Sequence, residues 1–71
     1  MPDLKHYLDL HYKVELEWEE DTWIARNPEL HGCIADGRTE VEAIESLRIC
    51  RRLWIESRLA TGKSAPEPGC V

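Results

Sequence analysis

The segment between residues 27 and 44 constrains the fold of this 71-residue chain more than any other part of the sequence. Pro28 and Gly32 mark a tight turn between two short apolar runs, because both residue types favour turn geometry. Thr39 and Glu42 follow with the spacing of a capping box, in which side chains bind the free amides at a helix start. The segment therefore predicts the end of a small sheet and the start of one long helix.

A chain of this length forms one domain and usually needs a covalent staple or a partner subunit for comfortable stability. We expect one domain over residues 1–71, with a tail containing proline and glycine at 63–71. Cys33, Cys50 and Cys70 are odd in number, far apart in sequence and without a C-x-x-C pair. Neither a disulfide framework nor a zinc site is expected, and reduced thiols fit a cytoplasmic protein better.

The net charge of -5 lowers the expectation of direct DNA or RNA binding, because nonspecific affinity for nucleic acid depends on a basic surface. The same charge favours a basic protein partner. No stretch approaches the roughly 18 apolar residues of a membrane span, and charged residues interrupt the first ten positions, unlike a secretory signal. We therefore expect a cytoplasmic protein without membrane association.

Apolar and polar residues alternate through residues 10–18, which predicts a half-buried strand. The apolar positions are Leu10, Tyr12, Val14, Leu16 and Trp18. Acidic residues 19–21 form a hairpin tip, and Thr22–Arg26 supplies a second strand that must stop before Pro28. Cys33–Ala35 is a short third strand. Strands joined by such short links pair in antiparallel fashion.

The long helix is predicted from about Glu40 to Thr61, with Gly62 closing its C-terminus. One apolar stripe should pack on the sheet. It comprises Ala43, Leu47, Cys50 and Trp54, flanked by Leu53. A second apolar group falls to one side of this stripe, around Arg48. It comprises Val41, Ile44, Ile55 and Leu59. Because one sheet face does not need this surplus, we expect it to form the interface of a homodimer or higher oligomer.

A strand that ends in an aromatic-rich hairpin is followed by three short motifs, and together these features cover residues 12–68. The motifs are P-x-L-x-G-C (Pro28, Leu30, Gly32, Cys33), G-x-T-x-x-E-A (Gly37, Thr39, Glu42, Ala43) and G-x-x-x-P-x-P (Gly62, Pro66, Pro68). Together they resemble the N-terminal domain of the HicB-like antitoxin family. The resemblance implies an α+β fold with a three-stranded antiparallel sheet, one long helix on one face, and a possible short fourth strand. This arrangement is similar to part of a double-stranded-RNA-binding domain.

The resemblance also implies a non-enzymatic function. The protein would mask a basic HicA-like toxin, which cleaves messenger RNA, and thereby neutralise it. Full-length members usually continue into a DNA-binding domain, whereas this sequence ends three residues after Pro68. Autoregulation by DNA binding is therefore not expected. The alternative is a stand-alone oligomeric interaction protein without a cognate toxin.

Five residues are candidates for a partner or dimer interface: Trp18, Trp23, Ile44, Ile55 and Leu59. The two tryptophans suit partner anchors, since tryptophan is enriched at binding hot spots, but ordinary cross-strand packing over the sheet is the favoured interpretation. The acidic run at residues 15–20 either provides solubility or faces a basic partner.

Catalytic, cofactor and metal sites are not expected. His31 and Cys33 are two residues apart without an orienting third group, and the histidines lack the spacing of metal ligands. Arg48, Arg51 and Arg52 could receive a phosphate or an acidic partner, or form a solvated face with neighbouring glutamates.

Overall fold

The computed structural model describes residues 3–68. Its elements, in chain order, are α1 (Leu4–Leu8), β1 (Glu15–Glu19), β2 (Thr22–Arg26), β3 (Ile34–Gly37) and α2 (Glu40–Ala60). The strands form one antiparallel sheet in the order β1-β2-β3, and α2 packs against β3 and β2. The predicted α+β fold is therefore confirmed.

The start of α2 follows the predicted cap. Thr39 Oγ1 accepts a hydrogen bond from the Glu42 amide at 3.1 Å, and the Glu42 carboxylate accepts one from the Arg38 amide at 2.8 Å. The return bond thus reaches the residue before the cap, one position earlier than in the standard capping box. The helix ends at Ala60, one residue before the predicted end, and Gly62 follows with a φ of 78°.

The first strand begins later than the alternation predicted. Residues 10–14 are not strand, and Leu4–Leu8 form a short helix that the sequence reading missed. The partner strand explains this difference, because Glu15 pairs with Arg26, the last residue of β2. The chain turns away after Arg26, so residues 10–14 have no neighbour with which to continue the ladder.

Residues 3–14 instead help to cover α2. Tyr7 and Tyr12 are both buried and belong to the same core cluster as Leu47. The Tyr12 hydroxyl donates to the Pro66 carbonyl at 2.6 Å, and the Tyr7 hydroxyl accepts from the Ala65 amide at 3.3 Å. These two bonds join the N-terminal segment to the segment that follows α2.

The burial of α2 confirms one part of the predicted stripe and corrects another. Ala43 and Leu47 are buried, as predicted, whereas Leu53 is 59% exposed. Ile55 is completely buried, so its assignment to a surplus outer surface was wrong. The physical reason is that Ile55 shares a core cluster with Tyr7 and the residues after α2, which cover the side of the helix that the sheet leaves open.

The tail does not add a fourth strand over residues 63–68. Residues 69–71, which belong to the same prediction, lie outside the described residues. Side chains hold the described part in place: Arg58 Nε donates to the Ser64 carbonyl at 3.0 Å, and Ala65 is buried. The tail therefore completes the core without strand pairing.

Replacing Ile55 by alanine should destabilise the protein by about 2 to 5 kcal/mol, because it removes a fully buried side chain and leaves a cavity. Leu53→Ala is the matched control, and its effect should stay within about 0.5 kcal/mol because Leu53 is largely exposed. Urea unfolding followed by tryptophan fluorescence measures both. Equal losses for the two variants would contradict this assignment of the core.

Candidate partner-binding surface

The sheet has one face that α2 does not cover. The register places on this face the side chains of alternate strand residues, which we call the outer sheet face: Glu15, Glu17, Glu19, Thr22, Ile24, Arg26, Ile34 and Asp36. The helix-facing side carries Ala25, which is fully buried, and Ala35, which is partly buried. An antiparallel sheet commonly has one packed and one solvated face, and an exposed face can meet a partner.

The outer sheet face is acidic. Glu17 pairs with Arg26 at 2.9 Å and Glu15 with Lys13 at 3.8 Å, while Glu19 and Asp36 form no ion pair within residues 3–68. These exposed pairs contribute little to stability. Near Asp36 lie Ile24 and Ile34, and Ile34 is 51% exposed. The surface thus combines an apolar spot with unpaired carboxylates.

The hairpin tip extends this acidic surface. Residues 15–21 hold five carboxylates and no basic side chain. Glu20 and Asp21, the two tip residues, have φ values of 45° and 65°. Positive φ at both positions is the geometry of a type I′ turn, which glycine and asparagine favour because other residues are strained there. The tip therefore keeps two acidic side chains where less strained residues would serve the turn better.

The structure separates the five residues predicted as an interface. Trp18 is 54% exposed and contacts the half-buried Trp23 edge to face, with ring centroids 5.4 Å apart. Ile44 and Leu59 are half-buried, and Ile55 is in the core. The two tryptophans lie on the helix-facing side of the sheet, opposite the outer carboxylates. They therefore do not form one continuous patch with the outer sheet face.

The sequence reading missed two exposed apolar residues and misplaced a third. Ile34 is 51% exposed and Ile49 is 65% exposed, and neither was predicted to be a surface residue. Leu53, at 59% exposed, was assigned to the edge of the core stripe. The exposure of Ile34 could have been predicted from its alternation with Ala35, which faces the helix. For the helix residues no local signal was present, because burial there depends on which distant segment covers each side.

The two edges of the sheet differ in charge. The edge strand β1 carries three glutamates, and such charges protect an edge against pairing with another chain. The opposite edge strand, β3, carries a single charged residue, Asp36, beside the exposed Ile34. Of the two edges, β3 is thus the one with less protection against strand addition.

Cys33 is placed where its thiol is inert. It is 2% exposed, and burial together with the neighbouring Cys50 thiol raises the pKa of Cys33 from 9.0 to about 12. The Cys33 Sγ lies 3.8 Å from the Cys50 Sγ, and both are free thiols. Because the thiolate is the nucleophile, a thiol with so high a pKa is not poised for catalysis. The two cysteines, far apart in sequence, are neighbours in space.

Residues 3–68 contain no cluster of three or more histidine, cysteine, aspartate or glutamate side chains that could hold a metal ion. Neither of its helices is long and apolar enough to cross a membrane.

Comparison with known proteins shows a similarity to part of another protein. The chain is 36% identical over 47 residues to a UPF0150 protein from Synechocystis sp.. The matched region is 66% of this chain and 64% of that protein, so the chain spans less than two thirds of the length of its relative. No protein-family model and no solved structure matches the chain. The comparison therefore establishes a similarity to an uncharacterised protein without assigning an activity.

The burial of Cys33 predicts a loss of stability at alkaline pH. Its pKa is about 12 in the folded state against 9.0 when exposed, so the protonated thiol is favoured by folding. Above pH 9 the unfolded chain loses this proton first, and stability should fall by up to about 1.4 kcal/mol per pH unit. Chemical unfolding at pH 7.0 to 10.5, with pH values chosen at about equal intervals, measures the slope.

Cys33→Ala should flatten this dependence. Tyr12→Phe is the necessary companion variant, because burial also raises the pKa of Tyr12 from 10.0 to about 12 and adds to the slope above pH 10. A pH dependence that is the same in Cys33→Ala as in the unmodified protein would contradict the assigned environment of Cys33.

Proposed function

We propose that the protein is a non-enzymatic binding module that resembles HicB-like antitoxins, and that its outer sheet face covers a basic protein partner. The partner we propose is a HicA-like toxin that cleaves messenger RNA. The observation that carries the proposal is the charge of this face, on which Glu19 and Asp36 lack ion-pair partners within residues 3–68. Ile24 and Ile34 supply apolar contact area among these carboxylates.

The proposed mechanism is masking. A protein that cleaves RNA must attract a chain of phosphates, so its binding surface carries positive charge. Carboxylates held on a rigid sheet would steer association with such a surface and then occupy the places of the phosphates. This mode of inhibition requires no bond to be made or broken by the antitoxin. It agrees with the burial of Cys33, the thiol nearest to a histidine in the sequence.

Three independent observations support the proposal. The ordered motifs between Pro28 and Pro68 resemble those of the HicB-like family. The α+β architecture agrees with the fold that this resemblance implies. The similarity to a UPF0150 protein is compatible with it, although the name of that relative states no activity.

Charge reversal on the outer sheet face should weaken binding of the basic partner. We expect the unmodified protein, purified from its native host, to bring with it a small basic protein that cleaves RNA and that the complex inactivates. Glu19→Lys should lower the affinity for this partner by about tenfold or more, because it places like charges opposite each other. Copurification followed by mass spectrometry and an RNA-cleavage assay provides the readout.

The matched control is Glu45→Lys, the same charge change at an exposed position of α2. It should leave the affinity within about twofold of the unmodified value, since Glu45 lies on the helix and not on the outer sheet face. Equal weakening by both variants, or capture of a partner that is not basic, would overturn the proposed surface.

The runner-up, a stand-alone oligomeric interaction protein, is supported by a different observation. The β3 edge carries the exposed Ile34, and Ile49 and Leu53 leave apolar surface uncovered on the adjacent α2. We propose that two copies pair in antiparallel fashion through β3, which would extend the sheet. Such pairing would bring Ile34 near its counterpart on the outer sheet face, and the exposed helix residues near theirs on the other face. A symmetric pairing of this kind uses the same patch on both copies.

Static light scattering at high micromolar concentration tests this association. The unmodified protein should have the mass of a homodimer or larger oligomer, and Ile34→Lys should shift it to a monomer because it replaces an apolar contact between the two β3 strands by two like charges. Val14→Lys is the control. Val14 is also exposed, but it precedes β1, which forms the edge of the sheet opposite β3. A monomeric unmodified protein would contradict the proposal.

A further inference from the structure

A groove runs between α2 and the segment that leads into β1. Its volume is about 690 Å³, within the range of small-molecule sites. Leucine, isoleucine and valine side chains line part of it, and basic side chains line the rest. The lining includes Leu10, Val14, Ile44, Arg48 and Arg51. The groove is built on the helix side of the sheet, so it is separate from the outer sheet face.

The guanidinium of Arg51 stacks on an aromatic ring beside this groove but lacks a hydrogen-bond acceptor. Its guanidinium carbon lies 5.9 Å from the centroid of the Tyr12 ring, a cation-π contact that orients the group. Its Nε is buried and has no hydrogen-bond partner, which is true of no other buried side-chain nitrogen or oxygen in residues 3–68. No other nitrogen of this guanidinium donates a hydrogen bond within residues 3–68 either, so a charged group that lines the groove is left without an acceptor.

The protein does not supply that acceptor, although acidic residues are abundant. The chain has 14 acidic and 9 basic residues, yet Arg48 and Arg51 form no ion pair within residues 3–68. The neighbouring Arg52 pairs with Glu56 at 2.9 Å. Asp9, the one carboxylate that lines the groove, lies 3.4 Å from Lys5. Two unpaired arginines thus converge on a groove of an otherwise acidic protein.

We propose that this groove binds a small ligand in which an oxyanion, either a phosphate monoester or a carboxylate, is attached to an apolar group. Arg51 and Arg48 receive the oxyanion, because the planar guanidinium matches the geometry of both phosphate and carboxylate. Leu10, Val14 and Ile44 contact the apolar group. The groove has room for the apolar group as well as the oxyanion. A bare phosphate ion would leave the apolar part of the groove unfilled.

The surroundings select a small ligand over a nucleic acid. With a net charge of -5, the surface beyond the arginines repels an extended polyanion. A ligand that fits within the groove meets only the local positive charge. The simplest alternative, a solvated face in which each arginine pairs with a helical neighbour, accounts for Arg52 and not for Arg51.

The test follows the Nε–H resonances of the arginines by NMR during titration of the full chain with phenyl phosphate, benzoate and inorganic phosphate. We expect the Arg51 resonance to shift and saturate with phenyl phosphate or with benzoate, and the comparison of these two probes identifies the preferred oxyanion. Inorganic phosphate should bind about tenfold more weakly than phenyl phosphate, because it lacks the apolar contact.

Two variants make the test specific. Arg51→Lys keeps the charge and loses the forked donors, and it should weaken binding by about tenfold. If its unfolding curve shows a folding defect, the exposed Arg48→Gln serves instead, and it should weaken binding to a similar extent. Arg38→Gln removes the same charge at an exposed position outside the groove and should bind as the unmodified protein does.

Absence of any Arg51 shift at millimolar concentrations of all three probes would overturn the proposal. So would an equal loss of binding in Arg38→Gln, which would indicate nonspecific attraction of anions. Tighter binding of a short single-stranded RNA through Arg48 and Arg51 than of phenyl phosphate would assign the groove to nucleic acid and likewise overturn it.

Discussion

The close approach of α2 to the β2–β3 half of the sheet is the contact on which the rest of the structure depends. It is possible because small residues meet there. A Cβ on Gly37 would lie 2.4 Å from the Ala43 nitrogen, and Ala25 and Ala43 are both fully buried. Since the helix lies over this half, its other side must be covered by residues 3–14 and by the tail, which is why Tyr7 and Tyr12 belong to the core.

This arrangement distributes charge unevenly over an acidic protein. The outer sheet face and the hairpin tip carry more carboxylates than basic side chains, whereas three arginines and a single carboxylate, Asp9, line the groove beside α2. Because exposed ion pairs contribute little to the free energy of unfolding, stability alone does not account for the outer carboxylates or for the arginines of the groove. The two surfaces face opposite sides of the sheet, and a macromolecular partner on one therefore leaves the other accessible to a small ligand.

Local sequence signals predicted the elements that depend on local interactions. Thr39 begins α2 because its side chain bonds the Glu42 amide, three residues away. The second strand ends before Pro28 because proline cannot continue the ladder. Prediction failed where the outcome depended on a distant neighbour. Residues 10–14 alternate as a strand should, yet they lack a partner strand, since β2 ends at Arg26.

The amino-acid order by itself determined the long helix α2 with its caps and the acidic hairpin, because each follows from interactions within a few residues. The α+β class followed from the order of the motifs along the chain. Only the tertiary structure decided which side of α2 is covered, and hence that Ile55 is core and Leu53 is exposed. It also placed Arg51 over Tyr12 and Cys33 beside Cys50. These contacts join segments far apart in the chain, and helical or strand periodicity contains no information about which distant segment packs against a given face.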